Sequence, residues 1–193
     1  MRELGGSGVV VGLDEVGRGP LAGPLTVAAV VLPDEPKIEG LDDSKKLSPK
    51  RREELAARIE ATACAIGLCH IEPARIDAEG MGACLRAAFR GALESCGVDA
   101  DAVLVDGNPL HIHPGERNVV KGDGKVACIA AASIYAKVAR DALMVELAGS
   151  YPAYGFERNK GYGTPEHIEA LREIGASPAH RMSFLGNILS EGE

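Results

Sequence analysis

Two short runs of β-branched apolar residues open the chain's pattern: Val9-Val10-Val11-Gly12-Leu13, which stops at Asp14-Glu15, and the valine-rich stretch from Leu25 to Leu32. Runs of this length, bounded by glycine, proline and acidic residues, predict strands. Between them, Val16 to Pro24 holds three glycines and two prolines. No helix fits there, and a tight, exposed backbone is expected. Ser48-Pro49 supplies an N-cap and a first-turn proline for a helix through about Ala61, and Ala63 to Ile71 predicts another strand. Leu85, Phe89 and Leu93 share one face of a following helix whose start is weakened by Gly80 and Gly82. Ala102 to Val105 reads as a buried strand that ends on Asp106 and is followed by Gly107-Asn108-Pro109. Val126 to about Gly149 predicts a long alanine-rich helix, Tyr151 to Gly163 a loop with glycines and aromatics, and Thr164-Pro165 the start of a last helix. Hairpin-like early strands followed by strand and helix alternation predict an α/β chain with a mixed sheet flanked by helices.

Composition narrows the class without changing it. The 193 residues are 46% apolar and 25% charged, ordinary values for one folded domain that exclude a disordered or fibrous chain. The apolar stretch from Leu25 to Leu32 falls well short of the ~20 residues of a membrane-spanning helix, and Met1 to Gly6 carries no secretory leader pattern, so a cytoplasmic location is expected. Five cysteines without a Cys-x-x-Cys pair predict reduced, mostly buried thiols. A balance of 21 basic against 28 acidic residues, net −7, argues against a uniformly basic binding face. Basic residues nevertheless concentrate in a few segments: Lys45-Lys46 with Lys50 to Arg52, Lys121 and Lys125, Lys137 and Arg140, and Arg158 and Lys160. In the loops, lysine beside glycine and tyrosine suits a phosphate backbone and a stacked sugar or base.

Candidate chemistry lies in the carboxylates. Two apolar strands that each end on aspartate would, if neighbours, bring Asp14 and Asp106 to one sheet edge, a setting suited to a divalent metal. Taken singly, each aspartate fits a turn cap equally well. Ser133, Lys137 and Asp141 recur every four residues along the alanine-rich helix. Such a polar row faces either water, with a Lys137–Asp141 pair, or a site. The glycines at 17, 19 and 23 precede a predicted strand rather than a helix, which excludes a dinucleotide fingerprint, and Gly122-Asp123-Gly124-Lys125-Val126 lacks the spacing of a phosphate-binding loop.

Several motifs, in order, resemble those of bacterial type 2 ribonuclease H, ribonuclease HII. They are Gly12-Leu13-Asp14-Glu15-Val16-Gly17-Arg18-Gly19-Pro20, Asp43-Ser44-Lys45-Lys46-Leu47, Val105-Asp106-Gly107, Lys121-Gly122-Asp123-Gly124-Lys125, the alanine helix ending Arg140-Asp141, and Asn159-Lys160-Gly161-Tyr162-Gly163-Thr164. The resemblance runs from about residue 9 to 184 and implies a single ribonuclease H-like domain over residues 1–193, with a mixed five-stranded sheet. It implies four carboxylates, Asp14, Glu15, Asp106 and Asp141, that hold two Mg2+ or Mn2+ ions. The activity implied is hydrolysis of the RNA strand of RNA/DNA hybrids, and incision 5′ of single ribonucleotides in duplex DNA, leaving 3′-hydroxyl and 5′-phosphate ends. Ribonucleotide excision and RNA primer removal follow as roles. Gly17, Arg18 and Gly19 are implied at the ribose 2′-hydroxyl, Tyr162 against the adjoining deoxyribose, and Ser44, Lys45 and Lys46 along the substrate backbone. None of the five histidines is given chemistry.

Met182 in His180-Arg181-Met182-Ser183-Phe184 stands where many relatives carry a second basic residue. The 13 residues before Asp14 leave no room for the extra domain of type 3 enzymes, the tail Ser190-Glu191-Gly192-Glu193 shows no clamp-binding motif, and a monomer is expected. Two other readings are a DNA-directed nuclease or resolvase of the same fold and a non-catalytic nucleic-acid or metal-binding module.

Overall fold

A computed structural model describes residues 8–189 of the chain. The readings made on the first six residues and on the tail from Ser190 lie outside the described residues. Five strands form one sheet in the order β3-β2-β1-β4-β5: β1 Val10–Val16, β2 Leu25–Val31, β3 Ala65–Ile71, β4 Ala102–Asp106 and β5 Glu116–Val119. β1 runs antiparallel to β2 and parallel to β4, and β4 runs parallel to β5, so the sheet is mixed as expected. The central strands are covered on both faces: Val11, Leu13, Val103, Leu104 and Val105 are fully buried, and so is nearly all of β2. That double burial explains their continuous apolar runs.

β1 does not stop at the acidic pair. It continues through Asp14, Glu15 and Val16, which face Ala28, Val27 and Thr26 of β2. The apolar run ends there, but the β2 backbone keeps offering ladder partners, and strand alternation sends neighbouring side chains to opposite faces. β5 carries no apolar signal in Glu116-Arg117-Asn118-Val119 and exists through its pairing with Val103–Asp106. As an edge strand it tolerates charge.

The helices are α1 Pro49–Thr62, α2 Pro73–Glu79, α3 Met81–Cys96, α4 Ala127–Ser150, α5 Phe156–Asn159, α6 Pro165–Ile174 and α7 Gly186–Leu189. Ser48 Oγ accepts the Arg51 N–H and Thr164 accepts the His167 N–H, so α1 and α6 start where their Ser/Thr-Pro signals lie. α2 is an additional short helix closed by Gly80 at φ 79°, which separates it from α3. The stretch after Tyr151 expected as loop contains a 3-10 turn, Pro152–Tyr154, and α5.

The chain divides into two compact units. The first contains the described residues through Val16, Thr26–His70 and Arg86–Val138. Its core joins Ala28, Val30, Leu55 and Ile59 to Ala131 and Ile134 of α4. Gly12 permits this packing, because a Cβ there would lie 2.3 Å from the Cys128 carbonyl carbon. The second unit contains Gly17–Leu25, Ile71–Leu85 and the described residues from Ala139 onward, around Met144, Tyr154, Phe156, Leu171 and Leu185. Cys84, Cys96 and Cys128 are buried, Cys69 is half-buried and Cys64 is exposed, all as free thiols. No helix among the described residues is long and apolar enough to cross a membrane.

Candidate active site

The parallel register of β1 and β4 pairs Leu13 with Val105, so the next residues, Asp14 and Asp106, leave adjacent strands together. A third carboxylate joins them. Asp123 lies in the 3-10 turn Gly122–Gly124 just before α4, and ligand oxygens of Asp14, Asp106 and Asp123 all fall within 4.8 Å of one another. The Gly122 N–H donates to Asp106 Oδ1 at 2.7 Å and draws this turn onto the end of β4. A Cβ there would come within 2.6 Å of Ile129 Cδ1, so a larger residue would have to displace the end of that side chain.

Burial and like charge dominate the electrostatics. Asp14 is only 7% exposed, and its burial, followed by the charges of Glu15 and Asp106, pushes its carboxyl up to about 8. Hydrogen bonds from the Ser133 hydroxyl and the Glu15 N–H oppose that rise. Burial, then Asp106 and Asp43, raises the Asp123 carboxyl as well. A positive charge among groups crowded in this way stabilises them as anions. Three carboxylates with oxygen donors alone fit a hard divalent cation such as Mg2+ or Mn2+.

Asp14 and Asp106 are brought together as expected, although only Asp106 ends its strand, Asp14 lying within β1. Glu15 and Asp141 are half-buried and stand outside the three-carboxylate grouping, Asp141 on the part of α4 that belongs to the second unit. Asp123 belongs to the Lys121-Gly122-Asp123-Gly124-Lys125 motif, for which the resemblance implies no ligand, and the structure adds it to the grouping. Its signal was an acidic residue between glycines immediately before a helix apolar enough for burial.

Ser133, from the polar row of α4, is buried and faces this cluster. Its hydroxyl bonds Asp14 and lies 3.0 Å from Ser44 Oγ. With Asp14 ionised, Ser133 donates to the carboxylate and Ser44 donates to Ser133. Ser44 is therefore engaged inside the protein, whereas Lys45 and Lys46 are exposed. Asp43 Oδ1 accepts the Lys45 N–H at 2.9 Å and caps their turn. Lys46 Nζ lies 2.9 Å from Asp42 Oδ1, and this pairing raises the lysine and lowers the aspartate.

In the second unit, the segment from Gly17 to Pro24 is less exposed than its glycines and prolines suggest. Only Arg18 and Gly19 are exposed, and the rest is buried or half-buried. Two fully buried arginines account for this. Arg140 donates to Pro24 O at 2.9 Å, Lys160 O at 2.9 Å and Ala22 O at 3.1 Å. Arg181 donates to Gly17 O at 2.7 Å, Arg18 O at 3.1 Å and Gly23 O at 2.8 Å. Arg140, counted by sequence among basic residues near the motifs, thus holds main chain rather than a surface.

Tyr162 is 42% exposed, with the Arg140 guanidinium 5.9 Å from its ring centre. His167 Nδ1 donates to the Tyr162 carbonyl at 2.9 Å. His167 Nε2 then accepts from His180 Nε2 at 3.0 Å, and His180 Nδ1 accepts the Ser177 N–H. Both rings are neutral in this relay. Burial depresses both imidazoles, His180 to about 4.

The profile of the ribonuclease HII family matches residues 11–186. A ribonuclease HII from Geobacillus kaustophilus is 48% identical over 185 residues, 95% of this chain and 71% of that protein. One from Caldicellulosiruptor bescii is 46% identical over 182 residues, 94% of this chain and 88% of the relative. Among solved structures, the ribonuclease H2 from Pyrococcus horikoshii superposes with a TM-score of 0.82 at 27% identity, covering 95% of this chain and 98% of the other.

Proposed function

Because the chain belongs to the ribonuclease HII family, we propose that it hydrolyses the RNA strand of RNA/DNA hybrids and incises 5′ of a lone ribonucleotide in duplex DNA, leaving 3′-hydroxyl and 5′-phosphate ends. The observation that carries this reading is the crowding of buried Asp14 and Asp123 with half-buried Asp106. Asp14 and Asp106 hold divalent cations, Mg2+ or Mn2+, with Asp123 added by its position and Glu15 and Asp141 by the family motifs. Two such ions, when bound, supply an activated water and charge stabilisation for in-line displacement at phosphorus.

The protein's own groups do the rest. Ser133 orients the Asp14 carboxylate, and Ser44 supports Ser133. Exposed Lys45 and Lys46 follow the substrate phosphates, Lys46 after giving up Asp42. The backbone of Gly17, Arg18 and Gly19 meets the ribose 2′-hydroxyl, the group that separates RNA from DNA. Tyr162, exposed and backed by Arg140, stacks on the next deoxyribose. Residues 1–193 form a single catalytic domain, its core at about 9–184, acting as a cytoplasmic monomer in ribonucleotide and primer removal.

The test is an end-labelled duplex with one ribonucleotide, incubated with Mg2+ or Mn2+ beside an all-DNA control. A single cut 5′ of the ribonucleotide, absent from the control and abolished by chelator, is expected. Equal cutting of the control would give the DNA-directed reading, and no cutting with either metal the non-catalytic one.

A further inference from the structure

The His180-Arg181-Met182-Ser183-Phe184 motif contributes no metal ligand to the proposed reaction, yet Arg181 in it is among the most deeply buried charges of the second unit. A guanidinium offers five donors in a fixed fork and loses its hydration when buried. Here the fork closes on one short loop. Nη2 donates to Gly17 O at 2.7 Å and to Gly23 O at 2.8 Å, Nε also reaches Gly23 O at 3.1 Å, and Nη1 reaches Arg18 O at 3.1 Å. The Phe184 ring centre lies 5.4 Å from the guanidinium carbon.

These bonds have a directional consequence. In a planar trans peptide the C=O and N–H point to opposite sides. Gly17 O turned toward Arg181 sends the Arg18 N–H away from it, and Arg18 O turned the same way sends away the Gly19 N–H. Arg18 and Gly19 are the exposed residues of the segment. Two successive amides turned outward are donors to which one oxygen can bond.

We propose that Arg181 is a positioning residue for ribose recognition: by holding the Gly17 and Arg18 carbonyls inward it presents the Arg18 and Gly19 amides to an oxygen of the ribonucleotide. This inference rests on the proposed function, which assigns the loop to the 2′-hydroxyl, and adds the group that sets the loop's orientation. Arg181 touches no substrate atom itself. Its guanidinium is held down to about 10 by burial and by Arg140, and stays charged at neutral pH.

Arg181→Lys keeps the charge but cannot span three carbonyls. Binding of a duplex with one ribonucleotide and of its all-DNA counterpart is measured with Ca2+ in place of Mg2+, intact strands being verified on a gel. The parent prefers the ribonucleotide duplex, and the lysine variant loses about tenfold of that preference, the size expected when hydrogen bonds to a charged group are removed. Its affinity for the all-DNA duplex stays within about twofold. Leu171→Ala, a cavity in the same unit's core, provides a destabilised control that keeps the parental preference. Phe184→Leu, milder than loss of the arginine, narrows the preference by about twofold.

A lysine variant with a lowered Tm but an unchanged preference, or a Leu171→Ala control that loses as much, would overturn the positioning role. If the lysine variant does not fold, an unchanged preference in Phe184→Leu overturns it. A parent with no preference would overturn the 2′-hydroxyl reading, and this inference with it.

Discussion

The two units bury charge in opposite ways. In the first, Asp14, Asp106 and Asp123 crowd together, and burial with neighbouring charge opposes ionisation of Asp14 and Asp123. In the second, Arg140 and Arg181 are buried at least as deeply, but each distributes its donors over main-chain carbonyls of the Gly17 to Pro24 segment. The carboxylates remain unbalanced until a cation arrives, whereas the arginines are satisfied by the fold. Buried charge that the chain leaves unbalanced marks a place for a ligand. Buried charge that the chain balances marks a device for shaping backbone.

The strongest way to break this contrast is to remove a carboxylate. Asp14→Asn or Asp106→Asn should lower cleavage of the ribonucleotide duplex by at least ~100-fold. With chelator present, the same variants should melt no lower than the parent, because a neutral amide needs no counter-charge in this crowded site. Calorimetry with and without Mg2+ checks this: the parent gains stability from the metal, and the variants gain less. A variant that lost both activity and metal-free stability would make the cluster part of the scaffold.

Asp123→Asn sharpens the comparison within the first unit. Cleavage should fall by more than about tenfold, and Asp141→Asn should fall less, since only Asp123 joins the grouping of Asp14 and Asp106. Steady-state rates at saturating Mg2+ decide between them, and a greater loss at Asp141 would favour the family-based assignment.

In the second unit, Tyr162→Ala should reduce cleavage at a lone ribonucleotide by about tenfold, in keeping with stacking worth roughly 1–3 kcal/mol. Metal affinity, read by calorimetry, should not change. A shift in metal affinity would tie Tyr162 to the carboxylates rather than to the sugar.

The smallest effect concerns pH. His180 is depressed from 6.5 to about 4, and His167 is depressed too. The unfolded chain therefore binds more protons than the folded chain between those values, and stability falls as pH drops from about 6.5 toward 4. Above pH 6.5 this contribution is fully present and flat. Thermal melting from pH 7.5 to 4.5 should show the decline, with a shallower slope in His180→Gln. An identical slope would place the acid sensitivity elsewhere.

The fold was legible wherever a local signal and a structural need coincided. Ser48-Pro49 and Thr164-Pro165 start helices because their caps and fixed φ act within a few residues. The apolar runs of β1 and β4 mark strands because both faces are covered. β5 was not legible, since its residues carry no apolar pattern and become a strand by pairing with β4. Nor was the interior of the glycine loop: its composition reads as exposed turn, and its burial comes from arginines far along the chain.

From the sequence alone came the order of motifs that places the chain in its family and the two apolar runs whose next residues are Asp14 and Asp106. Those features depend on residues close together along the chain, where periodicity and capping act. The tertiary structure alone decided the contacts made over long stretches of chain within each unit. Asp123 enters through a bond from Gly122 to Asp106, 16 residues away, and Arg181 reaches Gly17 across 164 residues. Each contact depends on strand register, helix placement and which charges are denied water. These are properties of packed neighbours, and no short stretch of sequence encodes them.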